Sequence, residues 1–275
     1  MLQRLLKRFK HPPGTHEVEQ VFSQYEMSMP AHQNAINALP GWNSSFPGGN
    51  TLSAGNHPLH ADSRIIEAMR AYGPLEGKLV LEIGPLEGMH TYMLSQERPA
   101  RIDAIEANRL CFLRCLVTKE ILQLDRARFY LGNIQPWLEK EDTVYDFALA
   151  SGVLYHLPDP ANFLLQLSRR AQAIFIWTHF FHDEAMPHGD PRRNPFSGRV
   201  ETRTIEGLSV RYYERSYQHA NTNASFCGGM KDRHYWMHRD DILSLLQRVG
   251  YRTIEVQAEE LAHGGGPCFS VFARK

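Results

Sequence analysis

Between residues 78 and 179, short apolar runs and helical stretches follow one another in regular order. No other feature of the sequence narrows the fold as far. KLVLEIG (78–84), RIDAIEA (101–107), RFYLG (128–132), YDFALASG (145–152) and AIFIWTH (173–179) each have the length and composition of a buried strand. MHTYMLSQ (89–96), LCFLRCLVTKEILQL (110–124) and ANFLLQLSRR (161–170) fall between them, the second with apolar residues at helical spacing. Strands that alternate with helices pair in parallel, because each helix carries the chain back to start the next strand in the same direction. The expected fold class is therefore α/β: a Rossmann-like, mostly parallel twisted sheet with helices on both faces. HRDDILSLLQRVGY (238–251) adds a helix with a stop at Gly250. RTIEVQA (252–258) and CFSVFAR (268–274), joined through HGGGP (263–267), are expected to close the sheet as an antiparallel pair at its edge.

Two regions depart from this rhythm. Residues 1–75 read as helices and loops, with a turn-rich stretch at 40–58 and a helix over 63–72 capped by Asp62, its apolar face formed by Ile65, Ile66 and Met69. Residues 180–237 are rich in His, Tyr, Arg, Gly and Asn. The chain thus divides into an N-terminal extension (1–75) and a core (76–275) carrying a cap insertion (180–237). The first fourteen residues mix Leu2, Leu5, Leu6 and Phe9 with Arg4, Lys7, Arg8 and Lys10. They read either as a membrane-surface helix or as a helix docked on its own domain. They lack the apolar centre of a signal peptide.

Composition limits the partners. In 275 residues, thirty Lys and Arg balance thirty Asp and Glu, so the basic excess of a dedicated nucleic-acid binder is missing. No apolar run approaches the length of a membrane span. Cys111 and Cys115 lie one helical turn apart in an apolar stretch and read as buried free thiols, which fits a reduced, cytoplasmic setting.

The strongest chemical signal is LVLEIGPLEGMHTYML (79–94), a strand that enters a helix through a glycine-bearing turn. Such a turn lets a ligand approach backbone N–H groups at a helix N-terminus. The dinucleotide pattern of three glycines is not met, since Leu86 and Met89 occupy its second and third positions. The missing second glycine argues against a pyrophosphate ligand. Glu106 ends the next strand, 22 residues beyond Gly84, where an acidic side chain can hold the two hydroxyls of a ribose.

With E-x-G-x-x-x-G at 82–88, Glu106, GN at 132–133 and YDFALASGVLYHLPDP at 145–160, the chain resembles the class I S-adenosylmethionine-dependent methyltransferase family. The resemblance implies S-adenosyl-L-methionine as cofactor. It places Glu82 and Gly84 beside the methionine part, Pro85 and Gly88 in the same cofactor-binding turn, Glu106 on the ribose, Asn133 and Ile134 at the adenine, and Ser151 and Gly152 at the amine. Asn133 stands where the family usually has aspartate. GVLYH (152–156) also resembles a motif of the bacterial enzymes that carboxymethylate wobble uridine in tRNA.

Tyr155 and His156 follow the fourth strand, at the edge where ligands of such sheets sit. They are candidate catalytic residues, with His156 as a base for an acceptor that carries a proton. Trp42, His179, Tyr213 and Tyr235 are candidate acceptor-binding residues from the extension and the cap. HFFHDE (179–184) gathers His179, His182 and Asp183, but its spacing matches no strong metal signature, and no metal site is expected. Methyl transfer to a small molecule is the expected activity. Wobble-uridine modification and cofactor binding without catalysis are the alternatives. The acceptor atom and the oligomeric state stay open.

Overall fold

A computed structural model describes residues 25–48, 51–218 and 220–275. The reading of residues 1–14 as a helix lies outside them, as does His219. Seven strands form the central sheet: β1 (Leu79–Ile83), β2 (Arg101–Glu106), β3 (Ala127–Leu131), β4 (Tyr145–Ser151), β5 (Ala171–His179), β9 (Thr253–Glu260) and β10 (Cys268–Arg274). Their order is β3-β2-β1-β4-β5-β10-β9. The first five pair in parallel, while β10 runs antiparallel to both β5 and β9. Chain order reverses between β1 and β4, and the crevice above that switch point is where open α/β sheets bind ligands.

Helices cover both faces. α5 (Ile134–Lys140), α6 (Pro160–Arg170) and α7 (Arg239–Arg248) pack Leu138, Phe163, Leu164, Leu167, Leu245 and Leu246 against Leu81, Ala148 and Ile174. α2 (Ser63–Tyr72) and α3 (Met89–Gln96) pack Ile65, Ala68, Met93 and Leu94 against Val80, Ile102, Phe147 and Phe175. β1 therefore sends alternate residues into two separate cores, as the period of a strand requires. Asp62 caps α2 by accepting from Arg64 N–H, and Asn108 caps α4 (Arg109–Leu122) by accepting from Leu110 and Cys111.

The insertion is more ordered than its composition suggests. β6 (Phe196–Ile205), β7 (Leu208–Arg215) and β8 (His234–Met237) form an antiparallel sheet of their own. Glu206 and Gly207 join β6 to β7 with φ of +49° and +77°, the paired left-handed geometry of a two-residue hairpin turn. The aromatics of this region partly form its core: Phe181 stacks on Tyr213 at 3.8 Å, and Phe196 meets Trp236 edge-on. The extension contributes α1 (His32–Asn37), a bridge between Ser44 and His57, and α2. Among the described residues, no helix is long and apolar enough to cross a membrane.

Candidate active site

A cavity of about 310 Å³ opens above the switch point. Its floor is the turn after β1. Gly84 (φ +66°), Leu86 (φ +57°) and Gly88 (φ +80°) all take the left-handed conformation. At Leu86 this geometry carries the strain of a Cβ. The Leu86 N–H it exposes donates to Glu106 Oε2 at 3.1 Å. A Cβ at Gly84 would come within 3.1 Å of Val153 Cγ2, so the turn also lies close against the loop after β4.

Glu106 is 7% exposed and faces the cavity from the end of β2. Oε1 accepts from Asn108 N–H at 2.7 Å and Oε2 from Leu86 N–H. The Ala107 N–H also pulls on the carboxylate. A carboxylate accepts about four hydrogen bonds in all, so acceptor capacity is left over for a ribose hydroxyl. Burial raises the Glu106 pKa to about 7, against the opposing pull of the backbone N–H groups.

Gly84, Pro85, Glu106, Ile134, Ser151, Gly152, Tyr155 and His156 line the cavity. Three other residues expected beside the cofactor do not. Glu82 lies beneath the turn, almost fully buried, and accepts from Thr91 Oγ1, while Oε1 has no partner among the described residues. Burial lifts its pKa to about 8, so it is largely protonated at neutral pH. Gly88 is the N-cap of α3 and faces Phe129 and Thr118 rather than the cavity, with a φ of +80° that favours glycine. Asn133 is exposed and caps α5, accepting from Gln135 N–H at 3.0 Å.

His156 sits in the short helix Leu154–His156, directly after β4. Its Nδ1 meets the Tyr217 hydroxyl at 2.5 Å, and the same hydroxyl accepts from Gly229 N–H at 2.7 Å. Burial, with His234, His179 and Arg215 nearby, holds the His156 pKa well below the usual value. The ring is therefore neutral at neutral pH, and in the tautomer whose Nδ1–H donates to the Tyr217 oxygen, Nε2 holds the free lone pair. A hydroxyl can give or take a hydrogen bond, so Tyr217 supports the ring with or without an added proton.

The cavity is closed from two sides. From the extension come Ser44, Leu59 and Arg64, and from the insertion come residues 226–230. Arg64 forms a two-point contact with Asp62, which also meets His90 Nε2 at 3.0 Å, and its guanidinium lies 4.5 Å above the Trp177 ring. Burial works against ionisation of Asp62, but hydrogen bonds from His90 and Arg64 override it and keep the pKa well below normal.

The four residues expected at the acceptor lie outside the cavity lining. Trp42 packs on Phe46 and donates Nε1–H to Ile36 O at 2.9 Å. Tyr213 is stacked against Phe181, and Tyr235 donates to Glu201 Oε1 at 3.0 Å. His179 stacks on Trp236 behind Tyr155. From the insertion, Phe226, Cys227, Gly228, Gly229 and Met230 line the cavity instead. His182 accepts from Ala185 N–H and Asp183 pairs with Arg193, so the HFFHDE stretch does not converge on one point.

Sequence reading also missed the node that ties these walls together. Glu87 accepts from Asn43 and Ser44 N–H at 2.8 and 2.7 Å. Arg114 reaches Glu87 Oε1 at 3.3 Å, and its Nη2 donates to Pro40 O and to Ala224 O. Both side chains have no exposure. A Cβ at Gly41 would fall 2.7–2.8 Å from Ala224 and Arg114 atoms, so the close approach depends on glycine. A charged residue inside the apolar run LCFLRCL was the available signal.

A seven-stranded sheet in this order, with its cavity over the glycine turn and the acidic end of β2, is a Rossmann-like α/β fold, shared with a solved structure that holds S-adenosylhomocysteine (SAH). Among solved structures, the chain is similar to the N-terminal domain of EvdMO1 with SAH bound, at 22% identity and a TM-score of 0.66 over 88% of this chain and 94% of that one. The same domain in the presence of SAH and D-fucose gives a TM-score of 0.64 at 22% identity, over the same shares of the two chains. Against EvdMO1 in full, the TM-score is 0.59 at 20% identity, over 88% of this chain and 46% of that one. No protein-family model and no curated protein matches the chain.

Proposed function

We propose that the protein is an S-adenosylmethionine-dependent methyltransferase that acts on a small-molecule acceptor, with residues up to 75 as an extension and 180–237 as a cap over the core. The observation that carries the reading is Glu106, a buried carboxylate at the end of β2 that is held by backbone N–H groups and lines the cavity with acceptor capacity left over. The donor set fits the group: a diol acceptor at Glu106, an apolar wall at Ile134, and backbone polar groups at Ser151 and Gly152. EvdMO1 binding SAH in the same fold supports this. When bound, the cofactor supplies a methyl group activated on a sulfonium.

The chain's own part is alignment and proton transfer. Gly84 and Leu86 present the turn backbone, and Glu106 fixes the ribose end. The acceptor would occupy the far end of the cavity, near Tyr155, His156 and Trp177. Holding it in line with the methyl group supplies most of the rate gain. His156, neutral and steadied by Tyr217, takes the proton of a hydroxyl or amine acceptor. Closure by Arg64 on one side and residues 226–230 on the other excludes water and limits acceptor size, which favours a metabolite over a polymer. Calorimetric titration tests the reading: binding of S-adenosylmethionine or S-adenosylhomocysteine, with NAD bound poorly, is expected. Tight NAD binding with no response to either adenosyl compound would overturn it.

A further inference from the structure

A second cluster lies behind the cavity wall. Cys268 and His179 are directly opposite each other in the antiparallel β5–β10 ladder, so both side chains leave the sheet on the same face. His263 reaches them from the connection between β9 and β10. One ligand atom from each of the three lies within 4.8 Å of the others. His179 and Cys268 are 7% and 4% exposed, and His263 is half-buried.

The His179 ring is prepared for a ligand on one side. Its Nδ1 faces Gly266 O at 2.9 Å and Pro267 O at 3.3 Å. A carbonyl only accepts, so Nδ1 carries the proton and Nε2 keeps the lone pair. Metal-bound histidines usually donate their second nitrogen to a carbonyl or carboxylate in this way. Trp236 lies flat against the ring, 5.0 Å away and 6° from parallel, and fixes its plane. The connection HGGGPC (263–268) fits over the rings because it lacks side chains there. A Cβ at Gly265 would come within 3.3–3.4 Å of both imidazoles, and one at Gly266 (φ +116°) would lie 2.6 Å from Trp236. Gly265 N–H donates to His263 Nδ1 at 3.0 Å. Coordination through Nε2 moves that ring's proton to Nδ1, so the amide must turn away, a rotation glycine permits.

We propose that His179, His263 and Cys268 form a three-ligand site for a zinc-class divalent cation, with a fourth position left to water or another small ligand. Two imidazoles and a thiolate suit zinc better than magnesium or calcium. Binding releases the Cys268 thiol proton to solvent. The cation braces the wall formed by Trp177 and Tyr155, whose rings stand 5.1 and 4.7 Å from that of His179. The site takes one residue of the HFFHDE stretch and neither His182 nor Asp183. It stands apart from the methyltransferase reading.

Metal-free protein titrated with cobalt(II) and then zinc(II), against a chromophoric chelator, tests the site. A single equivalent is expected, with the intense near-ultraviolet band of a thiolate bound to cobalt. Cys268→Ser should abolish that band. His263→Ala, in a half-buried connection and checked for folding by a thermal melt, should weaken zinc by about tenfold or more, the scale on which even supporting residues act. Cys227→Ser, at the cavity lip, should leave both unchanged. No thiolate band in the unmodified protein, equal zinc affinity in His263→Ala, or loss of the band in Cys227→Ser would each overturn the assignment.

Discussion

Replacing Glu106 by glutamine removes one charge and almost no volume, so it isolates the hydrogen bonding proposed for the ribose. In the free protein, two of the carboxylate's acceptor positions are taken by Leu86 and Asn108 N–H. The Ala107 N–H acts on the carboxylate as well, and the remaining capacity belongs to a side chain that lines the cavity. Glutamine keeps one acceptor oxygen, and its NH2 turns a donor toward either a backbone N–H or a ribose hydroxyl. At least one charge-assisted bond is lost, worth about 1.5–3 kcal/mol. That is roughly a 10–150-fold weaker complex. Calorimetry with S-adenosylhomocysteine measures it directly, and a thermal melt checks that the variant is folded. A folded Glu106→Gln protein with affinity within about twofold of the original would refute the role, because a lost charged hydrogen bond cannot cost so little.

Three further outcomes follow from the same geometry. Burial raises the Glu106 pKa to about 7, and diol donors need the ionised form, so affinity should rise with pH through that value and level off above it. Methylthioadenosine, which has the ribose but no amine titrating near neutrality, should bind about tenfold more weakly at pH 6 than at pH 8, and Glu106→Gln should lose this dependence; a flat profile in the unmodified protein would sink the argument. His156→Ala should lower single-turnover methyl transfer by about 10²–10⁴-fold with cofactor affinity unchanged, and unimpaired transfer would make His156 structural. Arg114→Ala leaves Glu87 buried without its countercharge and should cost about 3–5 kcal/mol in denaturant unfolding; a loss below about 1 kcal/mol would show that the node carries little.

The sheet was legible because its central strands are apolar on both faces and the helices between them carry apolar stripes. Even the edge pair β9–β10 and the Asp62 cap of α2 follow from local chemistry. The short α5 was missed: it has seven residues, with Pro136 in its first turn. The sheet of the insertion was hidden because much of its surface is charged, as the largely exposed β6 shows. In the site, residues fixed by backbone geometry, such as Gly84, Glu106 and Gly152, fall where strand ends put them. Residues brought in by tertiary packing do not announce themselves. Tyr213 and Trp42 have the chemistry of pocket walls, yet each finds a partner ring in its own segment, and Gly228 and Gly229 take the wall position instead.

The meeting of Glu87 and Arg114 also has an evolutionary consequence. Residues 40–44, 87, 114 and 224 are far apart in the chain, yet all four segments converge on one guanidinium and one carboxylate. A lineage that loses either charge alone retains the other stranded away from water, a state selection removes quickly. The two positions should therefore change together among related chains, from an ion pair to two uncharged side chains of similar combined volume, with a lone charge at either position rare. Gly41 should vary in step with them, since only while the guanidinium is present does the backbone there need to come so close.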